Sequence, residues 1–536
     1  MSSKKNVFTN LKHDLPAGLV VYFVALPLCL GIASASTGRP ELVFSGIIAG
    51  FIGGIVIGAL SGSALGVSGP AAGLVVIVND GINKLGTDAA GNINYMAGFT
   101  AFLLAVVLAG VIQVIAGYLK AGIIGYYFPS SVIKGMLAAI GIILILKELP
   151  HIMGYDQDFM GDEAFDQGDG HNTFTQLYYA FKYNSLGAII ISVLSVAILL
   201  LFERPFMKKF LLVKFLPGAL FVVLGGIFLN LFFMGNYPGL ALNGNHLVQL
   251  PVASSAPEFL SFFTFPDFSQ IVNLKVIQVA FTLAIVASLE TLLSVEAVDK
   301  LDPLKRSTPV NRELKAQGTG NIISGLIGGL PITQVIVRSS ANVNAGGTSK
   351  VSTIFHGCIL LVSAIVIPNY LNYIPRASLA AILLLTGYKL AKVGLFRSMY
   401  KLGWEQFVPF VATIVAVLFS DLLRGIAVGL AVATFFILRK NYRNAYNFSM
   451  EKDLDKDVIK LELSEEVTFL NKANISYTLD NLPEDCKVVI DGSRSINIDH
   501  DVLEIIHEFS RHTAGTKNIE VRLINIPEFN NAGLPH

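Results

Sequence analysis

The sequence predicts an α-helical polytopic membrane protein of about fourteen spans, arranged as two inverted halves of seven, with a small soluble α/β domain after them. Three observations carry this. Hydrophobic residues make up 53% of the 536 and charged residues only 14%, with a mean hydropathy of +0.62, and several apolar runs reach the roughly twenty residues that cross a bilayer. Two of the runs are broken by glycine and proline at matching places, ALGVSGPAAGLVVIV from Ala64 and GLIGGLPITQVIVRSSANV from Gly325. After Arg439 and Lys440 the composition turns charged, and short β-like runs alternate with a helical one.

The first half reads as spans at 15–36, 41–60, a short 65–79, 97–118, 123–146, 185–202 and 214–234. The second half reads as 273–297, 315–329, a short 332–345, 350–368, 376–392, 404–420 and 424–438. The polar start, MSSKKNVFTNLKHDLPAG, has no cleavage site before the first apolar run, so that run is expected to remain as a span. The halves correspond element by element. The second span of each is glycine-rich, with Gly46, Gly50, Gly53, Gly54 and Gly58 matching Gly318, Gly320, Gly325, Gly328 and Gly329. Glycines at such spacing let helix backbones approach closely in lipid. The fifth spans also match, PSSVIKGMLAAIGIILI beside PRASLAAILLLTGYKL. An odd number of spans per half turns the second copy upside down.

Loop charges orient the chain. Arg204, Lys208, Lys209 and Lys214 follow the sixth span, and Lys300, Lys305, Arg306, Arg312 and Lys315 follow the eighth. The loop after the fifth span instead carries Asp156, Asp158, Asp162, Glu163, Asp166 and Asp169, and 235–272 has no Lys or Arg. With Lys4, Lys5 and Lys12 inside, both termini are expected in the cytoplasm. The domains expected are a transmembrane domain at 1–440, a linker at 441–450 and a cytoplasmic α/β domain at 451–536, its strands VIKLELS, CKVVIDGS and NIEVRLINI and its helix HDVLEIIHEFSRHTAG. Cys29, Cys358 and Cys486 are far apart, which speaks against disulfides and metal sites alike. His151, His171 and His246 fall in expected external loops without ligand spacing. With no nucleophile–base constellation, an enzyme is not expected. The formal net charge of +1 names no partner, and no nucleic-acid partner is expected.

Chemistry concentrates at the two breaks. Proline is tolerated in the first turn of a helix, where its missing N–H would be unpaired. Each break therefore reads as a half-helix starting inside the membrane, at Ser68-Gly69-Pro70 and at Pro331. Two such N-termini facing each other form an anion site from backbone alone, and interrupted spans at matching positions of two halves point to a transporter's substrate site. Thr333 and Gln334 are expected in the first turn of the second half-helix, and Arg338 two turns in. Arginine stays charged in apolar surroundings and forks onto oxyanions, so Arg338 either meets the anion or pairs with Glu290. Glu290 lies well inside span eight, with Ser294 one turn later on the same face. An intramembrane carboxylate is a functional candidate by default: a proton carrier, a sodium ligand or the partner of a buried cation.

DLPAGLVVYFVALPLCLGIA, the VSGPAAG break, SLETLLSVEAVDK and GLIGGLPITQVIVRSSANVNAGG together resemble the SulP family of anion transporters, the sulfate permeases, over about residues 10–440, and the tail resembles their STAS domain. The resemblance implies core and gate domains, elevator-type alternating access and frequent homodimers in the inner or plasma membrane. It implies secondary active transport of a small inorganic anion, sulfate or bicarbonate first, with C4-dicarboxylate or chloride transport, channel activity or a membrane-tethered STAS scaffold as alternatives. By matching position it places substrate between Ser68, Gly69, Pro70, Ala71 and Ala72 on one side and Pro331, Ile332, Thr333, Gln334 and Val335 on the other, with Arg338 beside them. Glu290 with Ser294, and Thr333, match the coupling-ion site of sodium-driven members. The carboxylate here is a glutamate where those members have aspartate, and Thr333-Gln334 replace small residues, so sodium and proton coupling both remain open; no other cofactor is implied. A nucleobase transporter would resemble this architecture but use a carboxylate in span ten, where this chain has Arg338. Phosphoregulated STAS domains carry an Asp-Ser-Ser-Gly turn. Here the stretch is Asp499-His500-Asp501-Val502, which excludes serine phosphorylation there and implies a dimerising or docking element.

Overall fold

The computed structural model describes residues 10–87, 93–157, 160, 165, 172–205, 207, 216–253, 255–443, 446–452 and 457–528. Lys4, Lys5, Asp158, Asp162, Glu163, Asp166, Asp169, His171, Lys208, Lys209 and Lys214 lie outside the described residues. The chain separates into two compact units, Met1–Leu430 and Ala431–His536.

The first half contains α1 (Leu11–Thr37), α2 (Phe44–Ile52, continuing through a π-helical turn at Gly53–Ile57 to Leu60), β1 (Ser68–Pro70), α3 (Val75–Gly86), α4 (Tyr95–Tyr118), α5 (Ser130–Met153), α6 (Leu186–Glu203) and α7 (Gly218–Asn236). The second half contains α8 (Leu274–Leu301), α9 (Val310–Leu326), β2 (Ile332–Gln334), α10 (Ile336–Asn344), α11 (Val351–Val366), α12 (Arg376–Leu390), α13 (Trp404–Leu418) and α14 (Leu422–Arg443). Eight of the described helices are long and apolar enough to span a membrane, and α5 joins the short helix Ala121–Tyr127 at an 85° bend.

The order strand–half-helix recurs in each half, and the packing obeys the same symmetry. α1 packs on α11 as α8 packs on α4, and α5 packs on α12. Glycines permit the closest approaches. A Cβ on Gly110 of α4 would stand 2.6 Å from the Gly318 carbonyl oxygen of α9, and one on Gly318 would stand 2.5 Å from that of Gly110. Gly54 of α2 meets Gly357 of α11, and Gly141 of α5 meets Gly387 of α12, in the same way. Helices α1–α4 and α8–α11 pack chiefly on one another around the breaks, and α5–α7 with α12 and α13 pack chiefly on one another.

The breaks differ from the expected half-helix starts. Ser68–Pro70 and Ile332–Gln334 are extended and pair antiparallel, Ser68 opposite Gln334, Gly69 opposite Thr333 and Pro70 opposite Ile332. α3 therefore begins at Val75 after a 3-10 turn at Ala72–Leu74, and α10 begins at Ile336. Thr333 and Gln334 lie in the strand, and Arg338 lies in the first turn of α10, not two turns in. Neither proline occupies a helical first turn. The reason is that buried backbone groups need partners where water is absent. Proline also disfavours helical geometry in the residue before it. Crossing the two breaks as paired strands meets both demands. His151 is likewise not in a loop; it sits in the last turns of α5 and is buried.

The second unit has a four-stranded sheet in the order β3 (Tyr446–Lys452), β4 (Asp457–Leu463), β6 (Lys487–Asp491), β8 (Glu520–Ile524). The pair β5 (Glu466–Val467) and β7 (Asn497–Ile498) and the helices α15 (Lys472–Asp480) and α16 (His500–Glu508) complete it. The three predicted strands and the predicted helix are present. β3 begins before residue 451, and α15 adds a helix at 472–480 that turns Ile475 and Leu479 into the core. Alternating Ile459, Leu461, Val488 and Ile490 face Val502 and Ile506 in a core of this unit's own. Asp499 accepts from the Asp501 N–H at 3.0 Å and caps α16.

Candidate functional site

The crossing of β1 and β2 is built by α9. Its glycine-bearing face meets α4, and a second face carries Glu313, Gln317, Asn321 and Ser324, all buried. This spacing puts them in one stripe along the helix. Asn321 donates to the Ile332 carbonyl at 3.0 Å and accepts from the Ile332 N–H at 2.6 Å, which ties down β2. It also donates to Gln113 Oε1 at 2.7 Å. Ser324 donates to the Leu330 carbonyl at 2.7 Å. Gln317 Nε2 donates to Ser68 Oγ at 2.7 Å, tying down β1. Glu313 accepts from Ser61 Oγ, from the Gly62 N–H at 3.2 Å and from Gln317 Nε2 at 3.0 Å. A polar stripe inside a membrane helix is the sequence signal for these four residues, masked by the glycines that lie between them.

Arg338 reaches from α10 across to β1. Its Nη1 stands 1.9 Å from where a Cβ on Gly69 would be, so any side chain at position 69 would displace the guanidinium. The guanidinium is buried and forms no ion pair with Glu290 or any other carboxylate among the described residues. Its polar neighbours are the Cys29 thiol of α1 and the buried His356 imidazole of α11. Thr333 Oγ1 and both polar ends of the Gln334 side chain are buried without hydrogen-bond partners among the described residues. Not all backbone donors remain available. The Gln334 N–H points to Thr291 Oγ1 at 3.4 Å, and the Val335 N–H donates to the Val67 carbonyl at 3.0 Å. The N–H groups of Ile336, Val337 and Arg338 open α10 and have no partner within the helix. The arrangement is a buried cluster of donors around one fixed positive charge.

Glu290 lies on the other side of the same segment. A Cβ on Gly73 would stand 3.2 Å from its Oε1, so Arg338 at Gly69 and Glu290 at Gly73 flank one five-residue stretch of backbone. Ser294, one turn along α8, is buried as well, and β2 with Thr333 packs against α8. Ala71 and Ala72 connect the two glycines.

Two cavities lie along opposite ends of α1. One, of about 530 Å³, is lined by Leu30, Ser34, Arg39, Asp156 and Arg376. The other, of about 570 Å³, is lined by Val20, Ala341, Asn344, Thr386 and Lys389. Both lie between α1 and α12, and Ala341 is three residues beyond Arg338.

Residues 11–413 match the model of the sulfate permease family. YvdB of Bacillus subtilis, provisionally named a sulfate transporter, is 28% identical over 429 residues, which cover 80% of this chain and 74% of that one. The bicarbonate transporter BicA of Picosynechococcus is 24% identical over 434 residues, covering 81% and 71%. In fold, the chain resembles the transmembrane domain of a cyanobacterial bicarbonate transporter BicA, with a TM-score of 0.51 and 24% identity over 80% of this chain and 98% of that one. It also resembles the murine solute carrier 26 family member A9 anion transporter in its inward-facing state, with a TM-score of 0.63 and 15% identity over 98% and 87%.

Proposed function

The chain belongs to the sulfate permease family, and we propose that this multi-pass membrane protein carries a small inorganic anion, sulfate or bicarbonate, by secondary active transport. Arg338 carries the reading. A buried guanidinium without a carboxylate partner among the described residues, amid unbonded side-chain donors, is a costly arrangement that a bound anion would stabilise. The anion sits between Ser68–Ala72 and Pro331–Val335, held by Arg338, the side chains of Ser68, Thr333 and Gln334 and the first-turn N–H groups of α10.

The body containing β1, β2 and the site moves against the body of α5–α7 and α12–α14, in an elevator-type cycle that opens one of the two cavities at a time. Their placement between the two bodies supports this. Coupling runs through Glu290, with Ser294 and Thr333, and its ion is sodium or a proton. Because Glu290 and Arg338 flank one backbone segment, a cation bound at Glu290 stabilises that segment as the anion enters. Both termini face the cytoplasm, the membrane is the inner or plasma membrane, and the second unit serves a homodimer.

Uptake of labelled sulfate, bicarbonate and succinate into proteoliposomes, under imposed sodium or proton gradients, tests the proposal. Accumulation of an inorganic anion under one gradient, with counterflow, is expected. Uptake without counterflow under any gradient would instead identify a channel.

A further inference from the structure

The relay from α9 to β1 does more than hold the strand. Three donors converge on the Glu313 carboxyl oxygens, which accept from each: Ser61 Oγ, the Gly62 N–H and Gln317 Nε2. An amide facing a carboxylate must present its NH₂ end. The Gln317 amide is therefore locked with its nitrogen between Glu313 and Ser68, while its oxygen has no partner. That same nitrogen donates to Ser68 Oγ at 2.7 Å. Ser68 Oγ is thereby held as an acceptor toward α9, and its own hydrogen finds no acceptor among the described residues. Ser68 is the register partner of Gln334 and the neighbour of Gly69, over which Arg338 lies.

We propose that Glu313 is a positioning residue for anion recognition, its charge fixing the polarity of the relay Glu313–Gln317–Ser68 so that the Ser68 hydroxyl points its hydrogen into the site and acts there only as a donor. The inference rests on the anion site proposed above. A freely rotating serine can donate or accept, so it binds an anion and a hydrogen-bond donor about equally well. A serine whose oxygen is already engaged favours groups that only accept, such as the oxygens of sulfate or the carboxylate edge of bicarbonate. Glu313 thus contributes to selection for negative charge from one helix away, without touching the anion. A glutamate is tolerated near an anion site because Gln317 stands between them, and the relay presents a donor to the anion in place of the carboxylate.

Binding of sulfate and of bicarbonate, each titrated by thermal stabilisation of the purified full-length protein, tests the relay through a double-mutant cycle. The variants are Ser68→Ala, Gln317→Leu and Glu313→Gln, with Gln317→Leu and Glu313→Gln each repeated in the Ser68→Ala background. Each single change should weaken binding of the transported anion by about tenfold, the usual worth of a hydrogen bond to a charged group. The pairs should be no weaker than Ser68→Ala alone. Losses that multiply in the pairs would overturn the relay, since a general packing role acts without Ser68. Normal binding by Gln317→Leu would also overturn it, and this variant leaves the Ser61 and Gly62 contacts intact should Glu313→Gln fail to fold. If Ser68→Ala binds normally while Arg338→Ala does not, the relay fails and the anion site stands. If both bind normally, the site itself is misplaced.

Discussion

At the scale of single residues, the proposed function gives Arg338 the anion and Glu290 the coupling ion. Arg338→Ala removes a buried charge that has no carboxylate to leave behind, so the protein should remain folded while anion affinity falls about 10- to 100-fold. Arg338→Lys should recover only part of this, because an ammonium cannot fork onto an oxyanion. Wild-type uptake by monodisperse Arg338→Ala protein would refute the assignment. Glu290→Gln keeps shape and hydrogen bonding but removes the charge a coupling cation needs. Gradient-driven accumulation should disappear under both sodium and proton gradients, with anion binding retained to within about tenfold. Concentrative uptake at the wild-type level under either gradient would leave Glu290 a structural residue. Span eight pointed to Glu290 because a carboxylate in an apolar run stands out. Glu313, Glu148 and Asp14 are just as buried, but they lie near span ends, where sequence alone reads a charge as interfacial.

The close helix pairs set the distances on which the site depends. Gly110→Leu would drive a branched side chain into the α9 backbone, and overpacking of this kind costs about 1–3 kcal/mol. α9 would shift, and its stripe would lose Ser68 and Ile332 together. A lower melting temperature and weakened anion binding should therefore appear together in this variant; a fall in melting temperature at unchanged affinity would separate α9 from the site. Another joint links α5 to the loop after α7. Asp156 lies between His151 Nδ1 and His246 Nδ1, at 2.6 Å from each. Burial works against its charge, but the hydrogen bonds from the two histidines prevail and hold the carboxyl below the usual carboxylate range. A carboxyl depressed on folding stabilises above its unfolded pKa, about 4, and loses that contribution as pH falls through the folded value. The difference in melting temperature between wild type and Asp156→Asn should be full at pH 5–7 and shrink below about pH 4. A constant difference across that range would contradict the role given to the charge.

At the scale of the whole molecule, the second unit has its own sheet, helices and core. A chain ending at Arg443 should therefore keep its anion affinity to within about twofold, since every residue assigned to the site precedes that point. A larger loss in a folded truncation would make the second unit part of the transport machinery, and cross-linking of the full chain beside the truncation reports whether the proposed dimer forms and depends on that unit. Much of this architecture was legible in the sequence. Spans, the inverted halves, the two breaks and the soluble tail follow from apolar length, glycine and proline placement and charge, all local properties that lipid and water sort directly. Only the tertiary structure decided how the breaks meet. Ser68–Pro70 and Ile332–Gln334 are extended because each satisfies the other's backbone groups across more than 260 residues of sequence, and neither segment alone contains that instruction. The same holds for the Arg338 guanidinium over Gly69 and for the α9 stripe beneath both strands. Their partners are chosen by burial without water, where each polar group must find another wherever the fold brings one within reach.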